Sequence, residues 1–186
     1  MSLSILTGIQ TKSNVQFDRL VDRTITEVTA DMLKNLTFIG TNAFSSCMQI
    51  TKVEIPDSIT NVGGYAFNGC NHFTYLKIPS TVTNIGNSAF NFCSALRTVV
   101  ICNSVPPTLG NNSFTNAHSA MAMYVPYAAI DTYIAATNWA AYVSRYRPLV
   151  ESAEHLQVID TTIYTQAYVL DEDKIYVYSN GSWREQ

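Results

Sequence analysis

The chain is 186 residues long, enough for one domain with appendages, and carries a net charge of −3. Charged residues make up 13% of it, about half the ~25% of an average soluble protein. An acidic balance with one small basic cluster, Arg145 with Arg147, excludes a phosphate-tracking nucleic-acid groove. No apolar run approaches the roughly 20 residues that span a bilayer, so no membrane span is expected.

Residues 1–24 show no period and are expected to form an N-terminal arm. The opening "MSLSILTGIQ" has no basic n-region, and no signal peptide is read there. A repeat region follows over 25–122. It opens on a shortened entry copy, "ITEVTADMLKNLTFIG", with Val28, Leu33 and Leu36 in core roles. The next copies align on "FIGTNAFSSCMQI", "NVGGYAFNGCNHF", "NIGNSAFNFCSAL" and "TLGNNSFTNAHSA". Phe44, Phe67 and Phe90 are 23 residues apart, and so are Cys47, Cys70 and Cys93. The fourth copy places Phe114 one residue late and puts Ala117 where the others have cysteine. A fixed period between about 20 and 50 residues predicts an array of stacked coils.

Each coil parses the same way. "TKVEI", "TYLKI" and "RTVVI" alternate as half-buried strands, with Val53, Ile55, Leu76, Ile78, Val99 and Ile101 pointing inward. Pro56 and Pro79 end two of these strands, because proline cannot donate to a ladder; Cys102 takes that place in the third. A second extended piece ends at Val62, Ile85 and Leu109. The glycines that follow it, such as Gly63 and Gly86, are expected to permit a tight corner. Ala-Phe-x-x-Cys then makes one short helical or 3₁₀ turn. Stacked coils place equivalent residues ~4.8 Å apart, so Phe44, Phe67 and Phe90 predict a continuous aromatic spine. Cys47, Cys70 and Cys93 fit a narrow inner corner as small, weakly donating side chains. A disulfide between ladder neighbours is sterically conceivable, but thiols repeating in a core are better explained by packing.

The pattern Ile-Gly-x-x-Ala-Phe-x-x-Cys-x-x-Leu, then x-x-Val-x-Ile-Pro-x-x-Val-Thr, resembles the BspA-type leucine-rich repeat over residues 37–120. The resemblance implies an α+β fold, a short leucine-rich-repeat solenoid. It also implies a role in cell-surface adhesion or host interaction. "MYVPYAAIDTYIAATNWAAYVSRYRPL" is similar to the helical cap that follows such repeats, giving a cap over 123–149. In it Pro126 suits a first helical turn, Ile130, Tyr133 and Ile134 share a face, and Asn138 can cap a second helix carrying Trp139, Tyr142 and Val143. After Pro148 the chain turns acidic and tyrosine-rich. "AYVL", "KIYVY" and "SWRE" read as short strands, and Asn180-Gly181 as a hairpin turn, so residues 150–186 are expected to form a small β-meander packed on the cap or on another chain.

No catalytic, cofactor-binding or metal-binding residues are assigned, and no cofactor is expected. His72, His118 and His155 lack metal-ligand spacing. Asp171, Glu172 and Asp173 are read as a solvated turn in preference to a cation site. Gly-x-Ser-x-Gly, P-loop and His-Glu-x-x-His patterns do not occur in the sequence, and an enzyme is not expected. The candidate binding surface is the outward strand face with the exposed aromatics: Lys52, Glu54, Tyr65, Tyr75, Lys77 and Phe92. Lys52, Tyr75 and Thr98 are expected in one ladder, and Glu54, Lys77 and Val100 in the next, with Glu54 beside Lys77. The expected protein is a non-catalytic structural or binding module. A phage virion component (fibre, baseplate or decoration protein) is the first reading, and a bacterial cell-surface adhesin of the BspA-like class the alternative. Expected partners are other virion or surface proteins, host-surface glycan or protein, and further copies in a homo-oligomer.

Overall fold

A computed structural model describes residues 24–186. The arm expected over 1–24, Thr24 apart, lies outside the described residues, as does the reading of its first ten residues.

The first coil holds β1 (Glu27–Val28), the short helix α1 (Ala30–Leu33) and β2 (Phe38–Ile39). Thr29 caps α1, its hydroxyl accepting from the Met32 N–H. Val28 and Leu33 are buried and Leu36 packs against them, as the entry copy requires. Three coils of two strands each follow: β3 (Lys52–Val53) and β4 (Asn61–Val62), β5 (Tyr75–Ile78) and β6 (Asn84–Ile85), β7 (Thr98–Ile101) and β8 (Thr108–Leu109). Strands β2, β4, β6 and β8 form one parallel sheet, with Phe38 opposite Asn61, Asn61 opposite Asn84 and Asn84 opposite Thr108.

The Ala-Phe-x-x-Cys segments are not helical. Each is a run of tight turns that contain residues in the left-handed region: Asn42 and Ser46, Tyr65 and Gly69, Ser88 and Phe92, Asn112 and Asn116. The turns carry their own ladder from coil to coil. The amides of Tyr65, Phe67 and Gly69 donate to the carbonyls of Asn87, Ala89 and Asn91 at 2.8–2.9 Å. A helix would point those groups along its own axis; alternating turns release them sideways to the next coil.

Inside, Phe44, Phe67, Phe90 and Phe114 stack with ring centroids 5.0, 5.3 and 5.2 Å apart. The glycines have a reason other than corner flexibility. Gly63 and Gly86 are not in the left-handed region. A Cβ on Gly86 would lie 2.5 Å from the Gly64 nitrogen and 2.8 Å from the Gly63 carbonyl carbon, so the requirement is close approach of backbones.

Beyond the aligned repeats the coil path continues, with different contents. β9 (Ala122–Pro126), a 3₁₀ turn at Tyr127–Ala129, α2 (Ile130–Ala135), a 3₁₀ segment at Trp139–Arg145 and β10 (Tyr146–Val150) make one strand–helix–strand crossover. A 3₁₀ segment at Ala153–Val158 leads to β11 (Gln166–Val169), β12 (Lys174–Ser179) and β13 (Ser182–Glu185). One seven-stranded sheet runs β5-β7-β9-β10-β11-β12-β13, parallel as far as β11 and antiparallel after it.

This changes the division expected at 149/150, which falls inside β10. The expected meander is present, but its strands extend the repeat sheet itself. Pro126 ends β9, and Pro148 lies within β10, which pairs with β11 only beyond it, at Leu149 and Val150. Of the predicted helix face, Ile130 and Tyr133 are buried while Ile134 is exposed; Trp139 is buried while Val143 is exposed. Asn138 does not cap a helix with its side chain. It sits at φ 64° and its amide donates to the Leu109 carbonyl at 2.6 Å. The Trp139 indole N–H donates to the Pro107 carbonyl at 2.6 Å. The two side chains satisfy acceptors at β8, the last strand of its sheet, which has no further strand to pair with.

Candidate binding surfaces

The three ladder cysteines are buried thiols, and Cys102 is a partly buried one. Cys70 donates its S–H to the Phe44 carbonyl at 3.0 Å, and Cys93 donates to the Phe67 carbonyl at 3.3 Å. Each thiol ties its coil to the one before. Burial pushes the Cys70 thiol up to about 12 and raises Cys93 as well, the opposite of an activated nucleophile. No disulfide forms between them.

The strand face differs from expectation in three places. β3 pairs with β1, Lys52 opposite Glu27, and not into the large sheet, so the Tyr75–Thr98 ladder continues to Ala122 and does not include Lys52. Glu54 does not pair with Lys77. Its carboxylate takes the Lys52 ammonium at 2.7 Å and the Ala30 amide at 3.1 Å, and both contacts hold its carboxyl below the usual range.

Tyr75 is not an exposed aromatic. Its hydroxyl lies 3.0 Å from that of Tyr168 on β11, and both hydroxyls donate to Asp173. In a flat sheet β5 and β11, four strand spacings apart, would be separated by ~19 Å. The sheet must therefore curl until its outer face is concave. That concavity is filled by Val100, Tyr124, Leu149 and Tyr168, a second apolar cluster on the side where Val100 was expected to face solvent. What remains open is a cavity of about 400 Å³ at its rim, lined by Tyr75, Thr98, Tyr168, Asp173, Lys174, Ile175 and Gln186. Lys77 stays half-buried at the margin.

The acidic turn is also spoken for, as Glu172 accepts from the Tyr176 hydroxyl at 2.6 Å and Asp173 serves the two tyrosines. Among the described residues no group of three His, Cys, Asp or Glu could hold a metal ion, and no helix is long and apolar enough to cross a membrane.

Burial, the largest cause, pushes the hydroxyls of Tyr75 and Tyr124 up to about 12 and raises Tyr168 further. In the unfolded chain these phenols ionise near 10.0 and the Cys70 thiol near 9.0. Above those values the unfolded chain sheds protons that the folded chain keeps, so stability falls as pH rises. The urea midpoint is expected to be level from neutral pH to about 8.5 and to fall progressively above that. A midpoint unchanged up to pH ~11 would mean that these groups titrate as if exposed.

Tyr65 and Phe92 are exposed as expected, but they stand on a different part of the coil, at the turns. The six candidate residues thus fall on two faces: Lys52, Glu54, Tyr75 and Lys77 on the strand side, Tyr65 and Phe92 on the turn side.

A family model for the BspA type leucine rich repeat region matches residues 22–133 in six copies. It begins earlier and ends later than the aligned copies, taking in β1 at one end and β9 with α2 to Tyr133 at the other. No curated protein matches the chain. The family's repeats are generally non-catalytic binding repeats. With most of its length in six such copies, this chain belongs to the BspA-type leucine-rich-repeat family.

Proposed function

We infer that this protein is a non-catalytic binding module of the adhesion type, a short solenoid closed by its α2 and 3₁₀ segments as a cap. One observation carries the reading. Inward positions repeat from coil to coil, as with Phe44, Phe67 and Phe90 or Val53, Leu76 and Val99. Outward positions change each time, as with Ser46, Gly69 and Phe92 or Met48, Asn71 and Ser94. A scaffold that holds its interior constant while varying its surface is built to present that surface.

We place it on a virion, as a fibre, baseplate or decoration protein working as a homo-oligomer and touching host glycan or protein. The low charge density and the short stack of coils support this placement. The test is immunogold electron microscopy on particles purified from the source culture, with antibody to this chain. Gold at one fixed place on phage particles is the expected result. Labelled cell envelopes beside bare particles would move the protein to the bacterial surface, as an adhesin of the same family.

A further inference from the structure

Three exposed aromatics on the turn side follow a rule of their own. Phe38, Tyr65 and Phe92 are 27 residues apart in each step. The coil repeats every 23 residues, so each step advances one coil and four residues along it. Phe38 stands on β2, Tyr65 at the first left-handed turn position of the next coil, and Phe92 at the second such position of the coil after that. They are 46, 46 and 55% exposed. The result is a diagonal row of rings across three coils, with coils ~4.8 Å apart.

Two of these rings break a local rule. Tyr65 has φ 56° and Phe92 φ 58°, a region that disfavours bulky residues and admits Gly and Asn. The equivalent positions hold Asn42, Ser88 and Asn112, or Ser46, Gly69 and Asn116. Neither ring contributes to the core, so packing does not repay the strain. Strained exposed residues with no structural return point to a ligand.

The surroundings say what kind. Residues 35–51, 58–71 and 78–96 contain no Asp, Glu, Lys or Arg. The side chains flanking the row include amides held in order, with Asn84 donating to Asn61 at 3.2 Å and Asn116 to Asn91 at 3.2 Å. A protein partner would ordinarily meet arginine beside the aromatic anchors, and there is none here. Aromatic faces among amides and hydroxyls, with no charge, complement the C–H faces and hydroxyls of uncharged sugars. A diagonal row spanning several coils fits a chain of them.

We propose that Phe38, Tyr65 and Phe92 form the binding track for a linear, neutral polysaccharide. The proposal rests on the binding-module reading and names the ligand class for one of its two faces. The test is native affinity electrophoresis of the full chain in gels containing laminarin, pullulan or yeast mannan, with dextran sulfate as the charged comparison. The variant Tyr65→Asn with Phe92→Gly restores residue types that other copies carry. Wild-type protein is expected to be retarded by at least one of the three neutral polymers, and the variant to bind it at least about tenfold more weakly. The variant's melting temperature should be unchanged or raised by about 1–2 °C, since backbone strain is relieved. Val158→Ser, on an exposed residue elsewhere, should be retarded like wild type.

No retardation by any neutral polymer, retardation by dextran sulfate alone, or equal retardation of the variant would overturn the proposal. A whole-cell binding assay with the wild-type chain separates the two readings. If the chain adheres to cells yet ignores all three polymers, the binding module stands and the polysaccharide track falls. If it does neither, both fall.

Discussion

Replacing Phe67 by alanine is expected to lower the unfolding free energy by about 3–5 kcal/mol. The ring is fully buried and stacked between Phe44 and Phe90 at 5.0 and 5.3 Å. Its removal leaves a void that the neighbours cannot fill, because each is fixed by the amide ladder of its own turn: Phe44 N–H to the Ala66 carbonyl, Phe90 N–H to the Ser113 carbonyl. The carbonyl of Phe67 also accepts the Cys93 thiol, so the loosened coil weakens the next one. Urea unfolding of the two proteins side by side measures the loss. Phe92→Ala, two residues from the next Phe in the spine but exposed, is the control and should stay within about 0.5 kcal/mol. A Phe67 loss no larger than that control would remove the aromatic spine from the account of stability.

Gly86→Ala is expected to cost about 3 kcal/mol, at or above the upper end of the range for overpacking a tight site. The new methyl would meet three backbone atoms of the preceding coil within 2.9 Å, and backbone cannot swing aside as a side chain does. Relief requires the coils to part at that corner, which strains the bond from the Gly86 N–H to the Val62 carbonyl, now 2.8 Å. Gly69 is the useful contrast. It has φ +75° but its Cβ would meet nothing closer than 3.7 Å, so Gly69→Ala should cost only the ~1 kcal/mol of a left-handed alanine. The ordering Gly86 above Gly69 separates close approach from backbone freedom as the reason for the regular spacing of Gly40, Gly63 and Gly86 along the chain. Equal losses would mean that the coils can part freely.

The register of 23 was legible because stacking leaves each coil the same space at the same place. Phe67 over Phe44 and Cys70 over Cys47 are forced by that geometry, and the pattern announces itself in the residues. The turn segments were misread as helical because Ala-Phe-x-x-Cys carries no mark of a left-handed residue where Tyr65 and Phe92 stand. Asn42, Gly69 and Asn112 in the same places were the available signal. Past Phe114 the residues cease to repeat while the backbone path persists, so the residues alone assign β9 and β10 to a helical cap and set a boundary near Pro148. Tyr75 was read as exposed because its cover comes from Tyr168, 93 residues further on. Alternation within a strand shows which way a side chain points. It does not show what the rest of the chain folds over it.

The clasp between Tyr75, Tyr168 and Asp173 bears on how the molecule comes apart. In an ordinary repeat array each unit touches only its neighbours, so melting can start at an end and travel unit by unit. Here β5, an edge strand of the large sheet, is held through the Tyr75 hydroxyl by residues of β11 and of the turn after it, on the other half of the same sheet. Fraying from either end must break the same contact. The array thereby acquires the all-or-none cooperativity of a small globular domain, and Tyr75→Phe is the substitution that should begin to dissolve it into stages.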